Sequence, residues 1–212
     1  MEKMEQYLVP ATAAEETMIE KKSRFIGHIW PVETEEEAIA HIKEMRDKYW
    51  DATHNVYAYV LKSGAMRYSD DGEPGGTAGM PVLNVLRQEE VFNVCCVVTR
   101  YFGGTLLGAG GLVRAYSKSA KLALDAAGIA MKRVWDLVDI PCSYALFERV
   151  RQEVEAWQGQ VVDSEFAADV LVKAMLPEEQ TEGFFLRLQD LSNGKIHPQL
   201  TEKQYRAFPV EK

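Results

Sequence analysis

"VFNVCCVVTRYFGGTLLGAGGLVRAY", residues 91–116, runs from apolar chain through glycines into an amphipathic segment. Val94 to Val98 is continuously apolar, which reads as a central strand buried on both faces. Cys95 and Cys96 would then point to opposite sides of it. Gly103, Gly104, Gly108, Gly110 and Gly111 follow, flanked by Arg100 and Arg114. Leu112 to Ala127 reads as a helix closed by Gly128. A strand, a glycine loop and a helix start together can hold an anion, because free N–H groups and the helix dipole point the same way. The same glycines also let a strand and a helix pack closely. The spacing G-x-G-G at 108–111 is not a dinucleotide fingerprint, and no G-K-[ST] follows.

Outward from this segment, "SRFIGHIWPV" reads as a strand. "TEEEAIAHIKEMRDKYW" reads as a helix with a Thr34/Glu37 capping box and an apolar face of Ala38, Ile39, Ile42, Met45 and Tyr49. "HNVYAYVL" and "AMRYS" suit a hairpin. Pro81 fits the first turn of a helix over "MPVLNVLRQEE". Beyond Lys132 and Arg133 the order becomes strand, helix, hairpin, helix, edge strand. This βαββαβ pattern predicts a ferredoxin-like fold. The expected organisation is α+β, with domains at 1–134 and 135–212.

The chain has 212 residues and net charge −8. Residues 1–134 carry net −2 and residues 135–212 net −6. That opposes broad attraction to nucleic acid but leaves room for a local basic patch in the first domain. No apolar run is long enough for a membrane span, and the acidic start lacks signal-peptide features. The three cysteines read as reduced core residues, so the expected location is cytoplasmic.

Arg114, Lys118 and Lys121 fall at i, i+4 and i+7 on one helix face. With Arg100 they form the densest basic cluster, beside Tyr101, Phe102 and Tyr116. Cations with aromatics suit single-stranded or looped RNA, while a solvated helix face is the plainer reading. Asp70, Asp71 and Glu73 lie in "SDDGEPGGTAG", a loop suited to turn formation or to a small ligand or hard cation. The calcium-loop pattern fails there, so no metal is assigned. His54, close to Asp51, is a candidate acid–base group. No nucleophile-elbow serine or activated cysteine accompanies it, so no catalytic residue and no cofactor are assigned.

The run from Gly79 to Gly108 resembles the signature of the IMPACT/YigZ family. Its closing positions are Arg100, Tyr101, Phe102, Gly103, Gly104, Leu107 and Gly108. "YSDDGEPGGTAG" and "GAGGLVRAYSKSAK" also resemble family blocks, and 135–212 is similar to the small domain of bacterial members. The resemblance implies a first α/β domain similar to the second domain of a small-subunit ribosomal protein and to domain IV of elongation factor G. It implies a second domain similar to the ferredoxin-like domains of that factor. Eukaryotic members regulate translation through a kinase pathway, using an additional N-terminal domain. The expectation is a non-enzymatic protein associated with RNA or the ribosome and acting in translational regulation. The alternative is an enzyme or ligand-binding protein for a phosphorylated small molecule, with metal drawn from the acidic loop.

Overall fold

A computed structural model describes residues 6–210, which hold ten strands and five α-helices. They form an α+β protein with two antiparallel sheets. The chain divides into two compact units, one of residues 7–131 with 207–210 and the other of 132–206 with Gln6.

In the first unit, β1 (Tyr7–Pro10) is followed by β2 (Ala14–Glu20) and β3 (Ser23–Pro31). Then come α1 (Glu35–Lys48), β4 (His54–Val60), β5 (Met66–Ser69), α2 (Gly79–Gln88), β6 (Val94–Tyr101) and α3 (Ala109–Ala127). The sheet order is β2-β3-β6-β4-β5, which places the apolar run at its centre. Every residue from Val94 to Arg100 is buried. Cys96 and Val98 pack with α2 and α3, whereas Cys95 and Val97 pack with α1 on the opposite face. The helices α2 and α3 therefore cover one side of the sheet and α1 the other. Burial pushes the Cys96 thiol up to about 12 and the Cys95 thiol higher still, as expected of inert core cysteines.

Local chemistry explains the helix ends. Thr34 accepts from the Glu37 N–H at 3.2 Å, while the Glu37 carboxylate takes the Glu33 N–H at 2.7 Å. The capping box thus reaches one residue further back than its usual form. Ile39, expected on the buried face, is half exposed, whereas Ala38, Ile42 and Met45 are buried. Helix α3 starts at Ala109, three residues before the expected Leu112, so Gly110 and Gly111 belong to its first turn.

The second unit contains most of β7 (Ile129–Cys142), with α4 (Tyr144–Ala156), β8 (Gln160–Phe166), β9 (Val170–Pro177), α5 (Glu178–Ser192) and most of β10 (Gln199–Pro209). Strand order β10-β7-β9-β8 is the ferredoxin-like arrangement. Val138, Ile140, Val172 and Leu176 from the sheet meet Val150 and Val154 of α4 and Phe184 and Leu188 of α5 in one core. Lys132 and Arg133 lie inside β7, and the two units divide just before Lys132.

Candidate functional site

The glycine segment is a tied corner. At the end of β6, the Arg100 carbonyl accepts the Thr53 N–H, Thr53 Oγ1 accepts the Phe102 N–H and Ser23 Oγ accepts the Gly103 N–H. A Cβ at Gly103 would stand 2.0 Å from the Lys22 carbonyl carbon, so only glycine fits. Gly108, with φ of 73°, is the N-cap of α3 and offers no side-chain cap. The first N–H groups of α3 have no carbonyl within the helix to reach. At Gly110 a Cβ would meet only the Arg114 guanidinium, at 3.6 Å, so this side chain lies over the first helical turn. Close packing therefore accounts for Gly103 and also for Gly111, where a Cβ would meet Leu107 at 2.9 Å, while Gly110 is covered by Arg114 alone.

Arg114 and Lys118 are exposed and, with Lys21 from the β2–β3 turn, line a groove of about 210 Å³. Its other walls are Met18, Glu20, Leu107, Gly111 and Ala115. Arg114, Lys118 and Lys21 have no ion pair among the described residues. Lys121 differs, since Asp125 at 2.6 Å and Glu89 at 3.1 Å neutralise its charge. The hydrogen bond to Asp125 is the main cause that holds its ammonium above the usual lysine range.

Arg100 does not join this surface. It is 5% exposed and donates to Glu73 Oε1 at 2.5 Å and to Ser23 Oγ at 3.4 Å. Its guanidinium also lies over the Phe25 and Phe102 rings. An arginine at the end of a buried strand needs a counter-ion, and the acidic loop supplies it. Glu73 is buried as well, and its Oε1 also accepts from the Tyr116 hydroxyl at 2.7 Å. Burial first, and then the Glu73 charge, push the Tyr116 hydroxyl well above the usual tyrosine range.

The other loop carboxylates are engaged in holding backbone. Asp70 accepts from the Gly76, Ala78 and Gly79 N–H groups and so caps α2. Asp71 accepts from the Asn55 N–H and from Arg46. His54 is held by the Asp71 carbonyl at Nδ1, 2.7 Å away, with Nε2 3.8 Å from Glu73. Asp51, the expected partner of His54, instead accepts from the Tyr101 hydroxyl at 2.7 Å. Among the described residues no group of three His, Cys, Asp or Glu side chains could hold a metal ion. Tyr116, expected as an aromatic beside the basic cluster, is instead fully buried, and its hydroxyl has the partner that a buried tyrosine usually needs. Sequence reasoning missed Ser23 and Lys21 altogether.

Two α+β units, the first with a cationic groove at a glycine-started helix and the second ferredoxin-like, define the class of protein. The profile of the Impact N-terminal domain matches residues 21–124, and that of a domain of unknown function (DUF1949) matches residues 140–195. IMPACT family member YvyE of Bacillus subtilis is 36% identical over 191 residues, 89% of this chain and 88% of that protein. IMPACT family member YigZ of Escherichia coli is 35% identical over 199 residues, 91% of this chain and 97% of that protein. A solved structure described as a crystal structure of an hypothetical protein superposes with TM-score 0.59 at 33% identity, covering 94% of this chain and 98% of that one. The chain belongs to the IMPACT family.

Proposed function

We propose that this protein is a non-enzymatic, cytoplasmic, RNA- or ribosome-associated protein with a role in translational regulation, and that it holds an RNA backbone in the groove lined by Arg114, Lys118 and Lys21. The observation that carries this reading is the set of three cations without ion pairs around one groove, beside a helix start that has no side-chain cap. The exposed Phe102 and Leu106 lie in the loop just before that helix and offer apolar surface to unstacked bases. Because the whole chain carries −8, attraction to a polyanion has to be local and strongly screened by salt.

The alternative, a protein acting on a phosphorylated small molecule, is less well supported. A groove of about 210 Å³ is smaller than the roughly 300–1,000 Å³ of common ligand pockets and suits one phosphate group. The acidic loop that would supply metal is occupied in capping α2, anchoring β4 and neutralising Arg100. Among the described residues no helix is long and apolar enough to cross a membrane.

The test is co-sedimentation with ribosomes and retention of RNA at low salt, comparing wild type with Arg114→Glu/Lys118→Glu. Binding that fades with salt and is abolished in the double variant supports the proposal. No binding by the wild type, or equal binding by the variant, overturns it.

A further inference from the structure

The turn between β2 and β3 is built from residues that do not suit it. Glu20 pairs with Ser23, so Lys21 and Lys22 form a two-residue hairpin loop. Both have left-handed backbone, φ of 45° and 69°. Two-residue hairpin loops with positive φ at both positions favour Asn-Gly, because a side chain Cβ crowds the backbone there. Lysine has no short polar group to relieve that crowding. Backbone held against its preference tends to persist where it serves a site.

The placement of the turn is also fixed. Gly103 packs directly on the Lys22 backbone, and Ser23 Oγ accepts the Gly103 N–H at 3.2 Å. The hairpin is thereby locked onto the corner that leads into α3. Lys21 stands on the groove wall with Arg114 and Lys118, and Lys22 and Arg24 are exposed in succession after it. Arg24 stacks over the Tyr101 ring at 4.5 Å. The cations thus continue from the helix onto the hairpin, which alpha-helical spacing alone does not reveal.

We infer that the Lys21–Lys22 turn is a second binding element for RNA phosphates, kept in a strained form that costs the fold stability. This rests on the RNA reading above, in which Lys21 already lines the groove, and adds Lys22 and the strained turn that carries both lysines. An Asn-Gly turn, the favoured form, would place no cation at the groove.

Two variants separate charge from strain. Lys21→Gln/Lys22→Gln removes the charge and leaves the turn unfavourable. Lys21→Asn/Lys22→Gly removes both. Fluorescence anisotropy with labelled poly(U) RNA, over a series of salt concentrations, reads the binding. Thermal unfolding reads the stability. Each lost phosphate contact should lower the slope of log K against log salt by about 0.7, so both variants should lose about 1.4 if each lysine makes one. The Asn-Gly variant should also melt roughly 2–6 °C higher, whereas the Gln variant should melt like wild type. Wild-type affinity and slope in either variant, while Arg114→Glu/Lys118→Glu loses binding, overturns this inference and removes Lys21 from the contact, but leaves the RNA reading at Arg114 and Lys118 standing. An Asn-Gly variant that melts no higher than wild type overturns the strained-turn account. Absence of poly(U) binding by the wild type overturns both this inference and the RNA reading.

Discussion

Replacing Arg100 by Met separates two roles for this residue, a surface cation that meets RNA and a buried counter-ion that holds the acidic loop. The structure places its side chain 6% exposed against a Glu73 side chain 4% exposed. Met keeps most of the volume and the apolar packing on Phe25 but removes the donors to Glu73 and Ser23. The Glu73 carboxylate would retain the Tyr116 hydroxyl, with the His54 ring 3.8 Å away. Removing one member of a buried ion pair costs about 3–5 kcal/mol, since the remaining charge stays desolvated. At roughly 2–4 °C per kcal/mol for a chain of this size, the melting temperature should fall by about 6–20 °C. Urea unfolding of Arg100→Met, Glu73→Gln and the double variant forms the assay. The double variant should be more stable than the sum of the single losses requires, by about 1–3 kcal/mol, because neither charge is stranded. A loss below about 1 kcal/mol for Arg100→Met, or strict additivity, would refute the buried-pair account. Weaker RNA binding at unchanged stability would return Arg100 to the surface role.

Two further outcomes follow from particular contacts. Gly103→Ala forces a Cβ into the Lys22 backbone and should destabilise the protein by at least about 1–3 kcal/mol, read as a lower urea midpoint; a neutral effect would contradict the tied corner. His28 is buried beside Trp30 and Tyr49, and desolvation is the main cause that lowers its pKa, against the opposing pull of Glu15. The unfolded chain therefore binds the His28 proton first as pH falls below about 6.5, and that part of the stability is lost as pH drops on through the lower folded value. Urea midpoints of wild type should decline more steeply than those of His28→Gln below about pH 6.5; parallel curves would show that His28 does not contribute.

Much of the fold is legible in the sequence because its signals are local. The unbroken apolar run of β6 marks the sheet centre, and Thr34, Pro81 and Gly128 mark helix ends through their own backbone chemistry. Strands β1 and β2 are not legible in the same way. β2 reads "AEETMIE", an edge strand with mostly exposed residues and no apolar alternation to reveal it. The Lys21–Lys22 turn lacks the Gly or Asn that usually announces a hairpin.

The candidate site is legible in part. Arg114 and Lys118 follow from helical spacing and are exposed on one groove. Arg100, Lys121 and the acidic loop require tertiary information, because their partners come from other elements. Glu73 meets Arg100 across 27 positions of sequence, and Glu89 reaches Lys121 from the end of α2. Nothing in the spacing of "SDDGEPGG" distinguishes carboxylates that cap and neutralise from carboxylates that hold a ligand.

The most direct test of the central claim is to map the RNA contact on the protein by NMR. Backbone amide shifts of the whole chain would be followed during titration with poly(U) at low salt. Perturbations should concentrate at Lys21–Arg24, Gly103–Lys118 and the Arg114 side chain, and should fade as salt is raised. Perturbations centred on His54 and Asp70–Thr77, confined to residues 132–206, or absent at saturating RNA would contradict the assignment of the groove.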